Sequence, residues 1–314
     1  MTFSMLNTRS SVRLARSVLP FVLLMILLQP CRADSLLYMR IDRPVLDKRA
    51  LAVPATPKDR LRVMRTEFRS AGCADHLQEQ SVPGAELPNL ICTLPGNDTG
   101  VIVIAASLDY KSHGDEERVQ WATLELLPLL AESLNSSPHR ETLVFAAFSG
   151  HEHGFAGSSH YVKNLSDTER QNLRGMIFLD HLGRVAPAYG YPEPDTSRVA
   201  MLKGRPLMKE VSPKSSVMTT NISSAARALN LAPVSEINDI APTDTRLFAE
   251  TGVLAINFHS PAYVKLPGIG GTETHLSRTE LDPIIYADTY NLLCVYVLIV
   301  DKALGAEHAN NSGR

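Results

Sequence analysis

Three short apolar runs punctuate the first two-thirds of the chain, and each ends in a polar turn that carries acids. Val101–Ala106 leads to Ser107-Leu108-Asp109 and then to Gly114-Asp115. Thr142–Phe148 leads to Ser149-Gly150-His151-Glu152-His153-Gly154, and Met176–Leu179 ends in Asp180-His181-Leu182-Gly183-Arg184. Runs this short, bounded by turn residues, have the length of strands buried on both faces. Between the first two, Glu117–Leu134 has helical periodicity, with Trp121, Leu124, Leu127 and Leu130 along one stripe that reads as core. Alternation of strand, helix and strand predicts an α/β fold, a mostly parallel mixed sheet flanked by helices. Such a sheet gathers the carboxyl ends of its strands at one mouth, and acids delivered there repeatedly suggest a metal site.

The flanking pattern fills in the remaining elements. Thr56-Pro57-Lys58-Asp59 is a helix start, with a capping hydroxyl and a proline in the first turn, and it predicts a helix over Arg60–Ser70 ending at Ala71-Gly72. Pro88–Leu94 reads as a strand, joined to Val101–Ala106 through Gly96-Asn97-Asp98-Thr99-Gly100 as a hairpin-like pair. Residues 34–55, which include Pro44 and Pro54, read as extended. Prolines at 187, 192, 194, 206 and 213 break regular structure over 185–219, which reads as surface loops near the mouth, where specificity is commonly built. A helix at Ser223–Leu229, a strand at Val253–Phe258, a glycine-bearing loop at Ser260–Thr274 and a helix at Pro283–Leu304 complete the order. Asp288 and Asp301 in that last helix argue against membrane insertion. One domain is expected over 56–305, with a short flexible tail at 306–314.

Composition changes the picture at the amino terminus. Arg9, Arg13 and Arg16 precede an apolar stretch from Val18 to Leu28, and small residues around Cys31-Arg32-Ala33 offer a cleavage point. That is the plan of a secretory signal peptide over 1–33, so an exported protein, periplasmic or extracellular, is expected. The net charge of −2 gives no sign of nucleic-acid binding. Of the cysteines beyond the signal, Cys73 and Cys92 are the candidate bridge in an oxidising compartment, and Cys294 reads as a buried packing residue.

These residues together resemble the family-28 metallopeptidases, which include leucyl aminopeptidases and glutaminyl cyclases. The resemblance begins at Asn89-Leu90-Ile91 and Leu94-Pro95-Gly96 and runs through the acid-bearing turns. It continues in Gly154-Phe155-Ala156-Gly157-Ser158 with Tyr161, Asp244 to Phe248, and Val253 to Phe258. It implies the zinc-exopeptidase fold and a site holding two zinc ions bridged by one aspartate, which falls on Asp115. One zinc would also use Glu152 and His275, with His259 an alternative in the same region. The other would use Asp180 and a histidine at position 107.

Position 107 is serine in this chain, so the second set is incomplete, and Asp109, which in the family steadies that histidine, has lost its partner. The general-base position, a glutamate in the family, holds His151. Asp115, Glu152 and His275 still make three protein ligands, the usual number for one catalytic zinc. His113 and His153 read as surface residues that could supply a missing ligand, while His160 and His181 match no family role. With the predicted signal peptide, the resemblance implies an exported, single-zinc aminopeptidase acting on short peptides. The alternative is an inactive relative that binds a peptide ligand. Glutaminyl cyclase chemistry is disfavoured, because Glu273-Thr274 precede His275 where those enzymes place a tryptophan.

Overall fold

In a computed structural model of the chain, the described residues are 37–111, 113–192, 216–237, 244–261 and 280–312, with side chains up to 306, and the backbone alone at 263–264 and 274–275. The predicted signal peptide, most of the proline-rich stretch and most of the glycine-bearing loop lie outside them.

Strands β1 (Leu77–Gln80), β2 (Asn89–Leu94), β3 (Val101–Ser107), β4 (Thr142–Phe148), β5 (Leu173–Asp180), β6 (Ala188–Gly190), β7 (Ser235–Glu236) and β8 (Leu254–His259) form one sheet. Its order is β1-β2-β4-β3-β5-β8-β6-β7. The central strands β4, β3, β5 and β8 run parallel, whereas β2 on β4 and β6 on β8 are antiparallel. This is the mixed, mostly parallel sheet that the apolar runs predict. Both faces of its centre are covered. Val103 and Ala105 share a cluster with Val144, Phe148, Phe178 and Phe248, while the alternate positions Ile102 and Ile104 are equally inaccessible to solvent. Each such large side chain stabilises the fold by about 1.5–3 kcal/mol relative to leaving it in water.

Helix α1 (Arg43–Leu51) lies in the segment that the sequence reads as extended. Pro44 accounts for the difference: it falls in the first turn, where its missing N–H costs nothing and its fixed φ favours the helix. Helix α2 (Pro57–Phe68) begins as predicted, with the Thr56 hydroxyl accepting from the Asp59 N–H at 3.1 Å. After it the chain tightens through Arg69–Cys73, where Gly72 takes φ 101° against the Asn135 side chain, and Cys73 is bridged to Cys92 of β2. Cys294 is buried and unbridged.

The hairpin expected between β2 and β3 does not form, because β4 lies between them. The short connection is laced instead to the segment entering β4. Asp98 N–H donates to the Arg140 carbonyl at 2.7 Å, and Gly96 N–H donates to Thr142 Oγ1 at 3.2 Å. Gly96 lies so close to the backbone of Arg140 and Glu141 that a Cβ would meet it at 2.4 Å.

Helix α3 (Asp115–Asn135) packs on β3, β4 and β5 and buries Trp121 and Leu124, as its stripe predicts. Around the other elements run α4 (Ala156–Asn164), α5 (Asp167–Asn172), α6 (Val217–Thr220), α7 (Ile222–Ala228) and α8 (Thr245–Glu250). Helix α9 runs from Pro283 to Ser312, past the expected boundary at 305. Over Pro283–Ala306 it is long and apolar enough to cross a membrane by length and composition. In this fold it packs on α1, α3 and α7. Buried Asp301 accepts the N–H groups of Arg140 and Glu141, the latter at 2.7 Å.

Candidate functional site

Parallel pairing sets the first row of the site. Ala105 of β3 stands opposite Phe178 of β5, and one pleat further on lie Ser107 and Asp180, on the same face. Asp180 in turn stands opposite His259 of β8. Ser107, at 7% exposure, faces Phe148 on its other side. The Nε2 atom of His259 is buried without a hydrogen-bond partner among the described residues, and burial holds its pKa below the ordinary value.

The loop after β4 brings in the second group. Gly150 adopts a left-handed φ of 72°, and a Cβ there would meet that of Ala156 at 2.8 Å, so glycine is required to turn the chain. His151–His153 form a single tight turn that Gly154 closes, also left-handed. Asp109 fastens this loop: it accepts the Gly150 N–H at 2.5 Å and the His151 N–H at 3.2 Å. The acid whose histidine partner is missing at 107 thus holds backbone.

His151 stacks over Phe178, with ring centroids 6.5 Å apart, and meets the edge of Phe155. Its Nδ1 lies 3.2 Å from Oδ2 of Asp244, a carboxylate only 1% exposed at the start of α8. Burial disfavours the charged imidazole, but the hydrogen bond and charge of Asp244, with Asp180 and Glu152 beyond, raise its pKa above the ordinary value. In the sequence Asp244 stands in the Asp244 to Phe248 motif with no partner apparent. Only the fold shows that it faces the residue in the base position.

A third group surrounds Asp180. His181 Nδ1 lies 2.5 Å from Oδ1 of Asp180, and its Nε2 lies 2.5 Å from Oε1 of Glu116 in the first turn of α3. Arg184 donates to the other oxygen of Glu116 at 3.0 Å. Burial opposes the charge on His181, but the two carboxylates push its pKa up to about 9. Asp180 is held below the usual carboxylate value by the same pair, against burial. His181 takes φ 48°, uncommon outside glycine, and the Leu182 N–H next to it donates to Thr123 Oγ1 at 2.8 Å. His181 and Glu116 carry no role in the sequence reading. The adjacency of a histidine to the strand-ending Asp180 is the signal that could have marked them.

Asp115 opens α3 and pairs with Arg118 at 2.9 Å. Glu152 is exposed in the loop turn. The backbone of His275 pairs with Tyr263, and its side chain lies outside the described residues. Among the described residues no group of three or more His, Cys, Asp or Glu side chains gathers as a metal-holding set. The donors do not fit a pair of zinc ions: position 107 offers a buried hydroxyl, and Asp180 is engaged with His181. For one zinc, Asp115 and Glu152 are carboxylates of suitable chemistry, and the third donor falls on His275.

A model of peptidase family M28 matches residues 89–284. The chain belongs to peptidase family M28. The match runs from the first residue of β2 to the start of α9. An aminopeptidase of Pseudomonas aeruginosa strain UCBPP-PA14 is 32% identical over 102 residues, which is 31% of this chain and 18% of that protein. The M28 chain thus spans less than a fifth of that relative's length. Among solved structures, an Acidobacteriales bacterium glutaminyl cyclase aligns with TM-score 0.58 at 13% identity, over 83% of this chain and 94% of its own. BSAP, a zinc aminopeptidase from Bacillus subtilis, aligns with TM-score 0.50 at 18% identity, over 67% and 49%. At these identities the two structures establish the fold.

Proposed function

We propose that this M28 chain is an exported aminopeptidase that acts on short peptides with a single zinc ion. The observation that carries this reading is the hydrogen bond between His151, in the base position, and the buried carboxylate of Asp244. A carboxylate hidden from water that engages one ring nitrogen leaves the other to exchange a proton, the arrangement a general base needs. Asp115, Glu152 and His275 would hold the ion. Zinc, when bound, polarises the scissile carbonyl and lowers the pKa of a water to roughly 7.

The chain's own groups do the rest. Asp244 takes the Nδ1–H of His151, which fixes the tautomer and leaves Nε2 as the atom that accepts a proton from water and returns it to the departing amine. Phe178 and Phe155 hold the ring in place and limit its contact with solvent. Residues 1–33 are proposed to leave as the signal peptide, and the peptidase domain to cover 56–305. Zinc analysis of the purified mature protein, with cleavage of aminoacyl reporter substrates, tests the reading. One zinc per chain, lost in Asp115→Ala together with cleavage, is the expected result.

A second reading is favoured by two observations: Asp180 is bound to His181, and position 107 is serine. On that reading the chain is a non-catalytic M28 protein that binds a peptide ligand. Absence of zinc under zinc-replete conditions, together with no cleavage, would select it.

A further inference from the structure

We propose that the family's second metal position is filled in this chain by its own side chains, with the His181 imidazole serving Asp180 in place of a cation. The inference deepens the single-zinc reading but does not depend on a zinc being present.

Four observations carry it. Asp180 comes off the end of β5 and is met at 2.5 Å by His181 Nδ1, so a carboxylate expected to ligate metal already has a partner. The other ring nitrogen of His181 is met by Glu116 at 2.5 Å, with the Gln120 side-chain amide at 2.6 Å from the same atom, and Arg184 completes the chain at 3.0 Å. Acid, imidazole, acid and guanidinium therefore alternate, and each carboxylate faces a cationic or hydrogen-donating group without a metal. The geometry is built rather than incidental. His181 sits in a left-handed backbone conformation, and the next residue is tied to α3 through Thr123. Finally, both oxygens of Asp109 accept loop N–H groups, those of Gly150 and His151, so this acid has a role that needs no histidine at position 107.

The row across the sheet makes the inference testable. Ser107 and Asp180 share a face on neighbouring parallel strands, one pleat beyond a register pair, so a histidine placed at 107 would project beside Asp180. If Ser107 were all that separates this position from a zinc site, a histidine at 107 would create one. If His181 holds Asp180, the restored histidine has no partner to bind with.

The experiment is zinc content by elemental analysis, per folded chain, of the mature protein loaded with zinc and then desalted. Ser107→His alone should leave the count at the wild-type value. Ser107→His combined with His181→Gly should raise it by one, glycine being suited to the left-handed backbone at 181. Adding Asp180→Asn to that pair should return it to the wild-type value. A gain of one zinc in Ser107→His alone would overturn the proposal. So would an unchanged count in Ser107→His/His181→Gly with a near-ultraviolet circular dichroism spectrum like that of wild type. If the glycine variant fails to fold, His181→Asn, which also tolerates this backbone, takes its place under the same criteria. A wild-type protein holding no zinc would end the single-zinc proposal, yet the differences between variants would still decide this one.

Discussion

His181 illustrates how a single side chain sets a pH dependence whose sign can be worked out. Its pKa is raised from 6.5 to about 9 by Asp180 and Glu116, so the folded state holds its proton more tightly than the unfolded chain does. The stabilisation is complete below the unfolded value of 6.5 and is lost as pH rises through about 9. Asp180 and Glu116 shift downward, so their share of the same interaction is lost at the acid end. His181→Gln should therefore lower the urea midpoint most near pH 6, and the gap from wild type should close by about pH 10. A gap independent of pH would mean that the ring acts by packing alone. His151 makes the corresponding chemical prediction. His151→Ala should reduce kcat by on the order of 10²- to 10⁴-fold with a smaller change in KM, the range for loss of a general base. Unchanged turnover in steady-state kinetics would remove His151 from the reaction.

At the scale of elements, the loop that presents His151 is held from behind by β2. Asn89 is fully buried; its Oδ1 accepts the Ser149 N–H at 3.0 Å and its Nδ2 donates to the Gly157 carbonyl at 2.9 Å. One amide thus clasps the end of β4 to the start of α4 and fixes the span of the loop between them. Gly157 lets that clasp close, since a Cβ there would meet the Ser149 carbonyl oxygen at 2.2 Å. Asn89→Ala leaves a buried donor and acceptor unpaired and should cost about 1–3 kcal/mol. Chemical denaturation reads that loss, and an equal stability would refute the clasp. Both ends of it are visible in the sequence, as the Asn89-Leu90-Ile91 and Gly154–Ser158 motifs, but not the bond between them. The same limit explains the failed hairpin. A short glycine-bearing connection is local information, whereas the insertion of β4 between β2 and β3 follows from pairing along whole strands. Buried strands and the periodic helix α3 were legible because burial leaves a period in the chain. The partners of Asp109, His151 and Asp180 were not, because hydrogen bonds between distant residues leave none.

Across the whole molecule, the segment before the peptidase motifs is tied in by charge. Arg49 of α1 reaches Glu125 of α3 at 3.0 Å, Glu132 of the same helix at 3.0 Å and Glu67 of α2 at 3.0 Å, while its carbonyl accepts the Trp121 indole N–H. Glu125 is 1% exposed, and burial pushes its carboxyl up to about 7 although Arg49 pulls the other way. A carboxyl so placed destabilises the fold progressively as pH rises from 4.5 to about 7, because the unfolded chain ionises more readily. Arg49 limits that loss. Removing it in Arg49→Met strands a carboxylate in the core and should cost roughly 3–5 kcal/mol at neutral pH, with part of the loss recovered as the solution is acidified. Replacing both partners, in Arg49→Met/Glu125→Leu, removes the stranded charge and should restore most of the stability. Urea denaturation of the two variants at pH 5 and pH 8 separates the cases. If the double variant is no more stable than the single one, the loss comes from the contacts that Arg49 makes and not from a stranded Glu125 carboxylate.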